Sequence, residues 1–392
     1  MSKKIPLVIL VGGKGTRIKK LTNKPKPLSE FNGIPFLQLV LNHYSKFNIS
    51  EIYIMAGHKA KYFKKYNNQI INSVRIKVIN ESIPLGTAGC LSLLKNKIKE
   101  DFILINGDTI CPINLDEFII QSKKKLFHIA LIKNKNYKSN SKLANLSLDK
   151  DKNVLKNSKS KLMNAGIMFI KRGFLNKVKR KFLSLENDFL PDLINERKVS
   201  GTLIKNFFLD IGTPSNFQFA KKELKKYFTK KGAFLDRDGV INHDYGYVHD
   251  MKNFHLRPGV IKGLKLLIKK DYYLFLVTNQ AGIGKNKFSL KKYLKFNHEL
   301  KKKLSKQSVY FDAVEFCPYH PQAKIVKYKK KTNFRKPGNG MILKILDNFY
   351  VNKRNSFMIG DKNSDQLSAK KTNLKFYFSN GNLYKLIKKK II

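Results

Sequence analysis

With 392 residues the chain has room for two or three ordinary domains, and an apolar share of 42% gives each one material for a core. Lys and Arg number 79 against 27 Asp and Glu, a formal charge of +52 carried overwhelmingly by Lys spread along the whole chain. Such a background attracts polyanions weakly and in a salt-sensitive way, but without a localised basic face or Arg placed for base forks it counts against a specific nucleic-acid partner. Cys90, Cys111 and Cys317 are odd in number and widely spaced, so no disulfide framework is implied. Lys3-Lys4 and the apolar residues 5–11 faintly resemble a signal peptide, yet the run is short and ends in a glycine loop. No apolar run approaches ~18 residues, so a cytoplasmic protein without a membrane partner is expected, its oligomeric state open.

In chain order, short apolar strands are predicted at 5–11, 51–56, 74–79, 101–106, 127–132 and 165–170, with a helix at 35–47. This alternation argues an α/β sheet covered on both faces. Residues 221–232 read as a last helix and linker. The alternation then restarts, with strands at 233–235, 272–277 and 356–359 and helices at 259–269, 289–304 and 338–348. A terminal basic helix at 383–392 is expected to have no special role. The expected architecture is therefore two doubly wound α/β domains, 1–228 and 229–392, without an internal repeat.

The first strand runs into Gly12-Gly13-Lys14-Gly15-Thr16-Arg17. This is no Walker loop, and Ile18 stands where a dinucleotide fingerprint needs its third Gly. What remains is a glycine loop whose N–H groups can approach phosphate oxygens, with Arg17 as a planar fork; alone, such a loop is more often merely a turn. It has company, however. Pro25-Lys26-Pro27-Leu28, Glu81-Ser82-Ile83-Pro84-Leu85-Gly86-Thr87, Asn106-Gly107-Asp108, Asn164-Ala165-Gly166 and Asp210-Ile211-Gly212-Thr213-Pro214 follow in order.

This series resembles the sugar-1-phosphate nucleotidyltransferase family over residues 5 to about 220. Leu185-Glu186-Asn187-Asp188 and the Pro-Leu-Gly-Thr loop look closest to heptose-1-phosphate guanylyltransferases. The resemblance implies a Rossmann-like fold and attack by a sugar-phosphate oxygen on the α-phosphorus of a nucleoside triphosphate, with pyrophosphate leaving. It implies that Gly12, Gly13 and Arg17 hold the triphosphate and Lys26 neutralises the α-phosphate. Asp108 and Asp210 would hold Mg²⁺, a cation that prefers carboxylate and phosphate oxygens, and Gly86 would let the backbone approach the base or sugar. Where the family carries Glu-Lys before its Asn-Ala-Gly, this chain reads Ser158-Lys159, which leaves Lys159 to grip the sugar phosphate.

In the second half, Asp236-Arg237-Asp238-Gly239 follows a buried-looking strand. Two Asp separated by one residue point the same way from an extended segment and can divide nucleophile and acid/base roles. The bland alternative is an Asp-Gly turn. Against it stand Thr278-Asn279-Gln280, offering hydroxyl and amide donors to a phosphoryl group, the cations of Arg335-Lys336-Pro337, and Gly360-Asp361-Lys362-Asn363-Ser364-Asp365.

This set resembles the haloacid-dehalogenase-type phosphatases over residues 232–392, narrowed by Asn242-His243-Asp244-Tyr245-Gly246 and Asn279-Gln280-Ala281-Gly282 toward heptose 1,7-bisphosphate phosphatases, with histidinol-phosphate phosphatase a near relative. The resemblance implies that Asp236 becomes an aspartyl-phosphate and Asp238 is the acid/base. Asp236, the Asp238 carbonyl and Asp361 would bind Mg²⁺, Thr278 and Lys336 would hold the phosphoryl group, and Arg335 would meet the sugar or its other phosphate. Relatives bind a structural zinc where this chain has Cys317, Tyr319, Thr332 and Phe334; one ligand of four cannot close a tetrahedral site, so no zinc is expected and packing must hold the loop. The compact spacing leaves no room for a large cap.

Together the two halves imply neighbouring steps: removal of the 7-phosphate from D-glycero-D-manno-heptose 1,7-bisphosphate, then transfer of GMP from GTP to the heptose 1-phosphate. Three alternatives stay open at this point. They are another sugar or base, one idle half, or a basic RNA-binding protein on an old enzyme scaffold.

Overall fold

Residues 5–10 read Ile-Pro-Leu-Val-Ile-Leu, with no polar face to turn to water, so a strand there is stable only inside a sheet covered on both sides. The computed structural model, which describes residues 5–122, 125–133, 144–379 and 381–392, places Ile5–Leu10 between the parallel strands Ile49–Ala56 and Phe102–Asn106. The Lys3-Lys4 start lies outside the described residues. The chain divides into two compact units, one holding most residues up to Glu223, the other Leu224–Ile392 with the short segments Ser45–Asn48 and Ile71–Ser73.

The sheet of the first unit continues on one side to Val74–Asn80 and on the other to Leu162–Ile170 and Ala144–Leu148. It is mixed rather than parallel throughout, because Leu162–Ile170 runs antiparallel to both Phe102–Asn106 and Phe127–Lys133. The register breaks between Asn164 and Met168, and there Gly166, at φ 72°, lies against the Asn106 side chain. The Asn-Ala-Gly motif is thus a bulge that re-aims the strand toward the end of its neighbour. Val199–Ile204 pairs in parallel with Phe127–Lys133 and was not expected from sequence, since Ser200, Gly201 and Thr202 break its apolar pattern. Those polar residues have a partner: buried His128 lies between the Ser200 and Thr202 hydroxyls, at 2.7 and 2.9 Å.

In the second unit five parallel strands stand in the order Ala313–Cys317, Tyr272–Asn279, Lys231–Leu235, Phe357–Gly360, Lys375–Phe378. Successive residues of the central strand enter opposite cores. Ala233 and Leu235 pack with residues of helices Val260–Lys269, Leu290–Ser305 and Leu383–Lys390, and Phe234 packs with residues of helix Gly340–Asn348. This is a doubly wound sheet, and its ligand side is the carboxyl end of the central strand. Between Leu235 and Val260 the helical structure amounts to the turn Met251–Asn253, so no cap domain intervenes.

Two expectations need correction. The basic stretch 221–232 holds the expected helix, but with other bounds: the helix is Pro214–Phe228, opened by Pro214 with Thr213 Oγ1 accepting from Asn216 N at 3.3 Å, and Lys231-Gly232 already belong to the next strand. A first helical turn tolerates Pro well. The terminal helix, Leu383–Lys390, does have a role: Leu383, Leu386 and Ile387 are buried in the core it shares with Val260–Lys269.

Candidate active sites

The carboxyl end of Ile5–Leu10 opens on a cavity of about 560 Å³ lined by the loop Gly12–Lys14, Lys26, Glu81, Gly86 and Asp108, among others. Gly12 is wedged between the Gly57 backbone and Glu81, where an added Cβ would sit 2.8 Å from Glu81 Oε1; Gly13 faces open space. Backbone can therefore approach a ligand there without a side chain in the way. Lys26 Nζ lies 2.7 Å from Asp108 Oδ2. Asp210 is brought alongside by a two-residue ladder, Asp210 opposite Thr109, and by Ile211 N donating to the Asp108 carbonyl at 3.0 Å. Burial, and then the Asp108 charge, push the Asp210 carboxyl up to about 6, against the pull of Lys26 and Arg17. Two carboxylates that repel each other beside an open cavity fit a divalent cation, whose charge would relieve them.

Arg17 is exposed, yet its charge reaches Asp210; Lys159 is exposed in the turn before Leu162–Ile170, its N–H donating to Asn157 Oδ1 at 3.0 Å. Neither of them, nor Asp210, is among the residues that line the cavity. Gly86 does line it, but its need to be glycine has another cause. At φ +72° its missing Cβ would meet the Leu183 carbonyl at 2.5 Å, and that same carbonyl accepts from Ala88 N and Gly89 N. Sequence reasoning assigned nothing to Glu81, a carboxylate just past the strand Val74–Asn80, which burial pushes up although Leu85 N donates to it at 3.3 Å.

At the end of Lys231–Leu235 the second site is drier. Lys336 is buried, with Nζ 2.8 Å from Asp236 Oδ1 and 2.5 Å from Asp365 Oδ1, and it also donates to the Val277 carbonyl at 2.9 Å. Burial pushes the Asp236 carboxyl up to about 7; Lys336 opposes this and Asp365 adds to it. Burial works against the Lys336 charge as well, but the two carboxylates hold its ammonium above the ordinary range. One carboxylate oxygen each of Asp236, Asp361 and Asp365 lie within 4.8 Å of one another, and Asp361 Oδ1, buried, has no hydrogen-bond partner among the described residues. Such a cluster of acceptor-only oxygens fits a hard divalent cation. Asp365 was quoted in sequence but given no role; the signal was a third Asp in the first turn of helix Asn363–Lys370.

Asp238 is held by three side chains: Arg237, Asn242 Nδ2 at 2.9 Å and Gln280 Nε2 at 3.1 Å. Thr278 is buried and accepts from Gln280 Nε2 at 3.0 Å. The Asn279 amide, expected to face a phosphoryl group, instead bridges the Lys336 backbone, accepting from its N and donating to its carbonyl at 3.1 and 3.0 Å. Arg335 is half-buried, and its Nη1 has no hydrogen-bond partner among the described residues. The zinc-equivalent loop is packed: Cys317 is fully buried in an apolar cluster against which Tyr319 and Phe334 lie, and Lys330 Nζ stands 4.2 Å from the Tyr319 ring centre. Burial pushes the Cys317 thiol up.

Two family models match the chain. A nucleotidyl transferase family model matches residues 7–227, and a polynucleotide kinase 3 phosphatase model matches residues 228–382. The chain is similar to the D-glycero-beta-D-manno-heptose-1,7-bisphosphate 7-phosphatase of Vibrio cholerae, 40% identical over 140 residues that make up 36% of this chain and 75% of that one. To the enzyme of the same name from Haemophilus influenzae it is 42% identical over 135 residues, 34% of this chain and 73% of that one. A crystal structure of HddC from Yersinia pseudotuberculosis, 27% identical, covers 56% of this chain and 99% of its own with a TM-score of 0.48. No helix of the described residues is long and apolar enough to cross a membrane.

Proposed function

Since the chain belongs to the nucleotidyl transferase family in its first half and to the heptose-1,7-bisphosphate 7-phosphatase family in its second, we propose that it performs two successive steps on one metabolite. The second half removes the 7-phosphate of D-glycero-D-manno-heptose 1,7-bisphosphate, and the first half joins the resulting heptose 1-phosphate to GMP from GTP. The product is a GDP-heptose for lipopolysaccharide or another surface polysaccharide, made in the cytoplasm where nucleotides and sugar phosphates are supplied.

The observation that carries this reading is the group of buried Asp236, Lys336 and Asp365 with half-buried Asp361, and Asp238 clamped beside it. Asp236 attacks phosphorus and the bond from phosphorus to the sugar oxygen breaks, with Asp238 giving that oxygen its proton. Water then attacks the aspartyl-phosphate, Asp238 takes the proton, and inorganic phosphate leaves with Asp236 regenerated. Lys336 keeps the nucleophile anionic and balances charge on the phosphoryl oxygens, with Thr278 as a donor beside them. Asp236, Asp361, Asp365 and the Asp238 carbonyl would hold Mg²⁺, which when bound would further neutralise those oxygens.

In the first half no covalent intermediate is needed, so the residues position and neutralise. The Gly12–Gly13 backbone and Arg17 take the triphosphate, Lys26 turns from Asp108 toward the α-phosphate, and Lys159 remains the candidate cation for the sugar phosphate. Asp108 and Asp210 would hold Mg²⁺ here. GTP is favoured by the motif resemblance in the Pro84–Thr87 loop and in 185–188. The test supplies heptose 1,7-bisphosphate with each nucleoside triphosphate and Mg²⁺, following phosphate and nucleotide-sugar separately. Both should appear, nucleotide-sugar with GTP above all; phosphate without any nucleotide-sugar would end the two-step reading.

A further inference from the structure

Arg237 stands between the two carboxylates of its motif, and the reaction just described gives it nothing to do. An extended segment sends alternate side chains to opposite sides, so residue 237 is directed away from the side shared by its two neighbours. There its side chain is fully buried, the guanidinium carbon 5.0 Å from the centre of the Phe296 ring and 6.0 Å from that of Tyr293. The head then curls back. Nε and Nη2 donate to Asp238 Oδ1 at 3.2 and 2.8 Å, and Nη2 donates to Oδ2 at 2.7 Å and to the Val248 carbonyl at 2.6 Å. Nη1 has no hydrogen-bond partner among the described residues.

A fully buried cation with an orphaned donor is a poor way to make a core stable. An apolar side chain of similar volume commonly does as well or better, because neither the charge nor the orphaned N–H must leave water. What an apolar side chain cannot do is hold a carboxylate by two edges in one orientation. We infer that Arg237 is a positioning residue of the phosphatase reaction. It fixes Asp238 in the rotamer that meets the leaving oxygen and ties that carboxylate to the Val248 backbone, on the segment following the motif. This rests on the phosphatase reading given above.

Leaving-group chemistry separates this role from a structural one. A sugar alkoxide needs the proton that Asp238 delivers, whereas p-nitrophenolate departs without it. The full-length chain, with Mg²⁺, is compared with R237M on heptose 1,7-bisphosphate and p-nitrophenyl phosphate, reading the single-turnover phosphorylation of Asp236. For R237M the sugar-phosphate rate should fall about 100-fold and the p-nitrophenyl phosphate rate less than about fivefold, the scale set by a misaligned general acid. KM should move little, and thermal stability should hold or rise. Equal losses on both substrates, or a fall in stability that accounts for the loss, would overturn the inference. If R237M is recovered unfolded, R237K, which keeps the charge and loses the fork, is read by the same ratio; full activity in R237K would also overturn it. A wild-type chain inactive on every sugar phosphate would instead bring down the phosphatase reading itself.

Discussion

The two sites use the same pair, a lysine against an aspartate, in opposite settings. In the first unit Lys26 and Asp108 meet in the lining of a cavity, with side chains 13% and 28% exposed; in the second, Lys336 and Asp365 are 2% and 1% exposed, and Lys336 pairs with Asp236 as well. The difference follows from the chemistry each must do. Nucleotidyl transfer brings two large anions together and needs room, with cations that can turn from a resting partner to a phosphate. An aspartyl-phosphate needs a dry pocket in which a carboxylate stays a nucleophile without a water shell, and in which charge-assisted contacts are stronger. In the proposed reactions one ion pair is a resting contact and the other stays in place.

The largest expected effect separates the sites outright. Asp236→Asn should lower phosphate release at least ~10⁴-fold, since the nucleophile itself is gone, and leave nucleotidyl transfer to supplied heptose 1-phosphate within about twofold. Loss of both activities in a folded variant would refute independent sites. Next, Lys26→Ala should cost transfer about 10²–10³-fold in kcat, the usual scale for deleting one charge-stabilising donor, with phosphate release untouched. If transfer instead fell only through a raised KM, Lys26 would serve ground-state binding rather than the reacting phosphate.

A third prediction sets titration in the sheet of the first unit against titration in a site. Burial holds His128 down at about 4, below its ordinary 6.5. Its folded pKa is depressed, so above 6.5 both states are neutral there, and as pH falls toward 4 the unfolded state binds the proton first. Stability should therefore drop between pH 6.5 and 4 by up to roughly 3 kcal/mol from this group. Denaturant unfolding of the first unit across that range checks it, and His128→Gln should flatten the slope. An unchanged slope would mean that Ser200 and Thr202 satisfy the imidazolium as well as the neutral ring.

Much of this was legible in sequence where a residue's neighbours along the chain are also its neighbours in space. Asp236 and Asp238 are set by a strand end, Gly12 and Gly13 by another, and the apolar strands of both sheets announce themselves. What sequence did not disclose is set by distant pairing. Val199–Ile204 carries Ser200 and Thr202 where His128, seventy-odd positions earlier, meets their hydroxyls. Asp365 comes within 4.8 Å of the nucleophile and shares Lys336 with it, and the Asn279 amide bonds that lysine's backbone. The packing of the loop after Cys317 is likewise set at a distance, since Tyr319 and Phe334 lie against the cluster that buries Cys317.

Gly86 gives the smallest effect and the finest test of how open the first site is. Sequence resemblance made it a place where backbone meets the ligand; in the fold it is a place where backbone meets backbone, with Leu183 latched onto residues 85–89. Gly86→Ala combines an unfavourable left-handed φ with a clash against a carbonyl that cannot give way without breaking the Ala88 and Gly89 hydrogen bonds. A stability loss of about 1–3 kcal/mol is expected for the first unit, by the scale of strain at such positions. Transfer should suffer mainly in KM, because the cavity wall shifts while Lys26 and Asp108 do not. If stability were unchanged and kcat fell, Gly86 would be acting on the reacting ligand directly, and this side of the cavity would be as tightly built around its chemistry as the phosphatase pocket.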